Sequence, residues 1–291
     1  MQQNLDRFYG PLEKYTKMVT GGYTKLLMLD AKGGLGKTHN VKQVCRQELR
    51  DPEAQFYHVQ GFTTPLELYK TLWKAQREGT VLFLDDVSGI TKKTKAVDML
   101  KAATDTEGQE NWVSYQTSRD IEHPYRPHKT INTEFCFRGS IIMSFNETPD
   151  NRHFEALKDR GTYYQLSFSY SERLELIREI AKSDDFSPLT VEQQIDTAEW
   201  IADVTDRSME VSIRTFDEVC QMRHFGEQES VDWTDMALEI FNINPAKHMI
   251  VQMREAADMP VSEQIERFTE ETGYGQTKYY DLLSELRNEQ A

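Results

Sequence analysis

Gly33, Gly34 and Gly36, followed by Lys37 and Thr38 in "LLMLDAKGGLGKTHNV", are of a type and spacing that can grip a phosphate chain. Glycines let successive backbone N–H groups turn inward around phosphate oxygens, a lysine neutralises β/γ charge, and a hydroxyl reaches Mg²⁺. The stretch runs Ala31, Lys32, Gly33, Gly34, Leu35, Gly36, Lys37, Thr38, His39, and it departs from G-x-x-x-x-G-K-[ST] only at Ala31. An apolar run before the glycines and helical spacing after them set the loop at a helix N-terminus, which attracts anions. A glycine turn with no ligand is the bland alternative, and these flanks argue against it.

"VLFLDDV" can supply the metal side of such a site. An acid at the end of a buried strand, Asp85, can hold Mg²⁺, and its neighbour Asp86 can orient an attacking water. Three later residues can complete the chemistry. Asn146 closes an apolar run and can hydrogen-bond that water or the γ-phosphate, or it is a turn residue before Glu147. Arg160 lies between a helix and a strand, where a plain surface arginine is the alternative. Arg214 stands at the start of a helix in the second half. The reaction these groups suit is in-line attack of water on the γ-phosphate, with ATP and Mg²⁺ as the ligands, since no guanine-selecting N-K-x-D motif is present.

The elements that must position these residues follow from periodicity. "KLLMLD", "AQFYHVQGF", "TVLFLDDV", "CFRGSIIMSFNETPD" and "GTYYQLSFS" read as five strands separated by helical patterns, which implies a parallel sheet covered on both faces. The stretch from Glu107 to Phe135 reads as a long polar, turn-rich connection. After Ser169 only helices are expected: "YSERLELIREIAKSD", "VEQQIDTAEWIADVTD", "SIRTFDEVCQMRHF", "WTDMALEIFNI" and two more at the C-terminus. The expected division is a nucleotide-binding core at 1–169, a helical lid at 170–230 and a helical, helix-turn-helix-like or winged-helix domain at 231–291.

The 291 residues allow about two domains. Cys45, Cys136 and Cys220 are scattered and form neither a disulfide framework nor a zinc cluster, which points to a reducing compartment. No apolar run approaches the ~18 residues of a membrane span, so a soluble protein of the cytoplasm, the host's if viral, is expected. Asp+Glu at 48 against Lys+Arg at 34 gives a net charge of −14, so any nucleic-acid contact must be local. The acidic balance also suits a high-salt cytoplasm.

In this order the motifs resemble the AAA+ ATPases: Walker A at Ala31 to Thr38, Walker B at Leu82 to Asp86, sensor 1 at Asn146, an arginine finger at Arg160 and sensor 2 at Arg214. The resemblance covers about Phe8 to Phe225. The segments "GFTTPLELYKTLW", "VLFLDDV", "DMLKAATD", "FCFRGSIIMSFNE" and "HFEALKDRGTYYQLSFS" are similar to AAA-type ATPases encoded by tailed phages and by haloarchaeal viruses or plasmids. The resemblance implies a self-assembling hexameric ring or spiral in which Arg160 serves the neighbour's nucleotide and Arg214 acts from the lid. It also implies DNA, or a replication or other partner protein, as the thing acted on. Asp86 departs from the family's usual glutamate. A second family resembles the loop alone: "KGGLGKT" is also the deviant Walker A of dimeric partition ATPases, where Lys32 would reach across a dimer. That family does not account for Asn146, Arg160 or the helical second half.

Two further features stay open at this level. The tail from Val261 has helix, glycine turn at Gly273 to Gly275, and helix, with Lys278, Tyr279, Tyr280 and Arg287 available to DNA. Yet Val251 to Ala291 carries four basic and nine acidic residues, which suits a helical pair packing on a partner equally well. In AAA+ rings the loops after the second strand and before the fourth face the channel. That implies a polymer grip for Phe62, Tyr115, Tyr125, Arg126 and Lys129, with Lys92, Lys93, Lys95 and Lys101 nearby; solvated loops are the alternative.

Overall fold

The computed structural model describes residues 2–61, 63–86, 89–105, 110–147, 152–255 and 259–289. They form two compact units, 1–169 and 170–291. In the first, an initial helix α1 (Gln2–Thr20) precedes β1 (Leu26–Asp30), the glycine loop and α2 (Lys37–Glu48). A short turn of helix, α3 (Pro52–Gln55), leads into β2 (Phe56–Gln60), then α4 (Pro65–Lys74), β3 (Val81–Asp85) and α5 (Thr94–Ala103). Thr64 caps α4 by accepting from Glu67 N at 3.2 Å, with Pro65 at the first helical position where its missing N–H costs nothing.

The long connection before the next core strand is folded. It contains β4 (Asn111–Ser114), β5 (Ile121–Glu122), β6 (Thr130–Ile131) and β7 (Glu134–Phe137), paired antiparallel as β4 with β7 and β5 with β6. Turn-rich polarity hid these strands because only one side of each is buried: Asn111, Val113, Ile121, Ile131, Phe135 and Phe137 point into the core while their neighbours face solvent. Next come β8 (Ser140–Phe145), α6 (Arg152–Lys158) and β9 (Thr162–Gln165).

The main sheet has five parallel strands in the order β2-β3-β8-β1-β9. Every residue of β1, β3 and β8 is buried, as strands covered on both faces must be. The order puts β8 between the strand that enters the glycine loop and the strand that ends in Asp85. Asn146, one residue past β8, therefore stands between loop and acid. Gly161 is fixed by closeness: a Cβ there would lie 2.6 Å from the Leu26 carbonyl oxygen.

Among the described residues of the second unit every regular element is a helix: α7 (Tyr170–Ile180), α8 (Val191–Val204), α9 (Ile213–Glu229), α10 (Trp233–Ile240), α11 (Pro245–Glu255), α12 (Val261–Thr272) and α13 (Gln276–Glu289). Capping boxes start α8, from Thr190 and Gln193, and α9, from Ser212 and Thr215. One apolar cluster runs from Leu174 to Phe241 and a second from Ala246 to Leu283. The expectation placed a boundary after Ser230, whereas α9 and α10 share one cluster: Gly226 lets the chain after α9 approach so closely that a Cβ would meet Val231 O at 2.6 Å. Three helices, not two, follow α10; α11 was hidden by its start at Pro245 and its mixed polarity. Among the described residues no helix is long and apolar enough to cross a membrane.

Candidate nucleotide-binding site

The loop between β1 and α2 turns on two glycines in the left-handed region, Gly34 and Gly36, each at φ 77°. A side chain is strained there, so glycine is required at both. Gly36 is the N-cap of α2, and Lys37 is its first helical residue. Lys37 is 6% exposed, and its ammonium donates to Ala31 O at 3.0 Å and to Asn146 Oδ1. A buried ammonium is costly without acceptors. Here carbonyl oxygens serve it at the point where phosphate oxygens would arrive.

Asp85 is nearly inaccessible and collects donors on both oxygens. Oδ2 accepts from Thr38 Oγ1 at 2.9 Å and faces His58 Nε2 at 3.4 Å; Oδ1 accepts from Ser144 Oγ. The Ser144 oxygen also accepts from Asp86 N at 3.2 Å, so one hydroxyl ties both acids to β8. His58 lies against the Phe83 ring, and its pKa is lowered, chiefly by burial and then by the Lys42 charge, against an upward pull from Asp85. Neutral imidazole is the favoured form, with Nε2 as donor to the carboxylate.

Asp86 is exposed and holds φ 55°, a left-handed backbone that aspartate tolerates better than most residues. The chain thus turns sharply just after the buried acid. Thr38 and Asp85 offer hard oxygen donors 2.9 Å apart, which fits Mg²⁺, an ion usually held by one or two protein oxygens plus substrate phosphates and water. Among the described residues there is no group of three or more His, Cys, Asp or Glu that could hold a metal ion.

The remaining expected residues are placed as follows. Ala31 and Leu35 are buried, Gly33 is half-buried, and Lys32 and His39 are exposed. Arg160, just after α6, donates from Nη1 to Ala156 O at 2.9 Å, while its Nε is buried without an acceptor among the described residues. Arg214 is exposed in the first turn of α9, in the second unit. Thus the first unit gathers Lys37, Thr38, Asp85, Asp86 and Asn146. Tyr115 does not match a channel-facing aromatic: it is half-buried and packs on Tyr69, with ring centroids 5.6 Å apart. Phe62 lies outside the described residues. Tyr125, Arg126 and Lys129 are exposed, and Lys74 Nζ sits 5.2 Å from the Tyr125 ring.

Sequence reading missed Tyr9, His58 and Ser144. Ser144 was findable, because on a strand it shares a face with Asn146 two residues on. His58 breaks an otherwise apolar strand, a weak signal. Tyr9 lies in "MQQNLDRFYGPLEKY", a polar and charged stretch in which nothing marks one aromatic as functional. It faces the loop because Phe8, Tyr9, Leu12, Thr16 and Val19 form the buried stripe of α1.

Sheet order, glycine loop and helical second unit define the fold of the AAA+ P-loop NTP hydrolases. Among solved structures the chain is similar to Cdc6p from Pyrobaculum aerophilum, at 11% identity and TM-score 0.51 over 97% of this chain and 86% of that one. A RuvB variant from Thermotoga maritima is similar at 13% identity and TM-score 0.49, over 92% and 81% of the two chains. Domain III of the Thermotoga maritima replication initiation protein DnaA follows at 14% identity and TM-score 0.48, over 80% and 92%. An uncharacterised 36.7 kDa protein of Enterobacteria phage T4, from the nrdC-mobD intergenic region, is 24% identical over 228 residues, 74% of this chain and 68% of that protein. No protein-family model matches the sequence.

Proposed function

We propose that this protein is an oligomeric AAA+ enzyme that hydrolyses ATP to remodel DNA or a nucleoprotein complex during replication or maintenance of a viral or plasmid genome. The observation that carries the reading is one cluster built from distant segments: Lys37 against Asn146, and Thr38 and Ser144 against Asp85. When bound, Mg²⁺ neutralises β/γ-phosphate charge and polarises the γ-phosphoryl group. Thr38 and Asp85 would hold it. The Lys37 ammonium exchanges its carbonyl acceptors for phosphate oxygens, and Asp86 with Asn146 orients water for in-line attack.

Arg160 of one protomer reaches the γ-phosphate of the next. The Nε, buried with no acceptor among the described residues, supports this role, since a buried donor without an acceptor costs about 1–3 kcal/mol that a partner can recover. Arg214 acts in cis from the lid. The phage relative agrees with a viral setting. Lys32 is exposed, and a fold of the AAA+ type gives the dimeric partition reading no support.

An alternative substrate, a partner protein, is favoured by one observation. Glu263, Glu266, Glu270 and Asp281 form an exposed acidic surface on α12 and α13, unsuited to phosphate backbones. ATP turnover measured with single-stranded and duplex DNA over a range of salt separates the two. Stimulation that fades with rising salt is expected, with Tyr125, Arg126 and Lys129 as contacts. Turnover indifferent to both DNA forms would transfer the proposal to the protein-remodelling reading.

A further inference from the structure

The glycine loop needs its peptide planes fixed before phosphate arrives, and a residue of α1 is bonded to one of them. Tyr9 is 3% exposed, and its hydroxyl donates to the Leu35 carbonyl at 3.0 Å. Its ring meets the edge of Phe168 at a centroid distance of 6.1 Å, so the hydroxyl is aimed by packing. Burial pushes the phenol well above its ordinary pKa, so it remains a donor.

The peptide bond is planar and trans, hence the C=O of Leu35 and the N–H of Gly36 point to opposite sides of one plane. Gly36 sits at φ 77°, where glycine can rotate at little cost. Left to itself, that plane can flip. A carbonyl tethered outward to Tyr9 directs the Gly36 N–H inward, next to the first helical residue Lys37.

We infer that Tyr9 is a positioning residue for phosphate binding, which holds the Leu35–Gly36 peptide in the orientation that presents the Gly36 N–H to the β-phosphate. This rests on the nucleotide-site reading above. Because the β-phosphate is common to ATP and ADP, Tyr9 acts on both, and it acts without regard to Mg²⁺. The γ-phosphate chemistry is untouched, so the effect belongs to binding rather than to turnover at saturation.

The test is direct titration of the full chain with ATP and with ADP, each with Mg²⁺ and with EDTA, beside steady-state turnover. Tyr9→Phe keeps the ring and removes the donor. It is expected to weaken both nucleotides by roughly fivefold to tenfold, the range of one net hydrogen bond, with saturated turnover kept. Leu12→Val, on the same buried face of α1, is the packing control, expected to lower Tm while leaving both affinities within about twofold. p-Aminophenylalanine introduced at position 9 restores an N–H donor and should bind as the parent does, which keeps the test open if Tyr9→Phe does not fold. Affinities of Tyr9→Phe equal to the parent's, an equal loss in Leu12→Val, or no recovery with the amino analogue would each overturn the inference. A parent chain that binds neither nucleotide would instead overturn the nucleotide-site reading.

Discussion

At the scale of residues, the site is an exchange of acceptors around one buried ammonium. Lys37 rests on Ala31 O and Asn146 Oδ1, and in the proposed ATP complex triphosphate oxygens would replace them. Lys37→Ala is therefore expected to abolish ATP binding in a titration, since the glycine amides alone do not neutralise the β/γ charge. Asp86 can be tested cleanly because asparagine also tolerates φ 55°. Asp86→Asn should keep nucleotide affinity and lower turnover by about 10²-fold or more, the usual loss for a positioned base. Unchanged turnover would move the water-positioning role elsewhere. The thiols behave in line with burial: Cys45 and Cys220 are buried and pushed up to about 12, while Cys136 is half-buried. Thiol titration of the native chain should therefore modify Cys136 ahead of the other two.

At the scale of elements, order in the sheet decides which residues can meet. Asn146 reaches Lys37 only because β8 lies between β1 and β3. Gly161→Ala tests the outer edge of this arrangement: a Cβ 2.6 Å from Leu26 O must push β9 from β1, and a loss of about 1–3 kcal/mol in denaturant unfolding is expected. In the second unit, Ser212→Ala removes one half of a capping box and should cost about 1 kcal/mol. Arg178 holds Glu199 through paired bonds at 2.9 and 2.7 Å, and that bond first, then the charge, lowers the Glu199 pKa. A lowered carboxylate stabilises above its unfolded pKa and loses that contribution as pH falls through the folded one. Arg178→Gln should thus cost stability at neutral pH and little in acid.

These elements also explain what was readable. β1, β3, β8 and the glycine loop were legible because buried parallel strands are continuous apolar runs and the loop uses glycine where nothing else fits, whereas the partly exposed edge strands β2 and β9 showed through their aromatic and β-branched residues. The short strands from Asn111 to Phe137 were not legible, because two-residue pairings such as Ile121–Glu122 leave no period to detect. Tyr9 was unreadable for a different reason. Its partner is a backbone carbonyl 26 positions away, and no side-chain motif marks such a bond.

At the scale of the molecule, the sequence carries a net charge of −14, yet the proposed polymer contacts are cationic and aromatic, confined to the Tyr125, Arg126 and Lys129 loop. Local attraction against a repelling background would make the proposed DNA engagement salt-sensitive. Arg160 turns back on Ala156 O, and its buried Nε has no acceptor among the described residues. In the proposed assembly, the neighbouring protomer's nucleotide would supply an acceptor for this guanidinium. The most direct measurement is ATP turnover by a mixture of two variants, Arg160→Ala and Asp86→Asn. Each alone should bind ATP and hydrolyse it at a small fraction of the parent rate. In a head-to-tail assembly, an equal mixture creates sites where an intact Asp86 faces an intact Arg160, and about a quarter of parental turnover is expected. A mixture no more active than its components, or an Arg160→Ala protein that hydrolyses ATP as the parent does, would contradict a site shared between protomers.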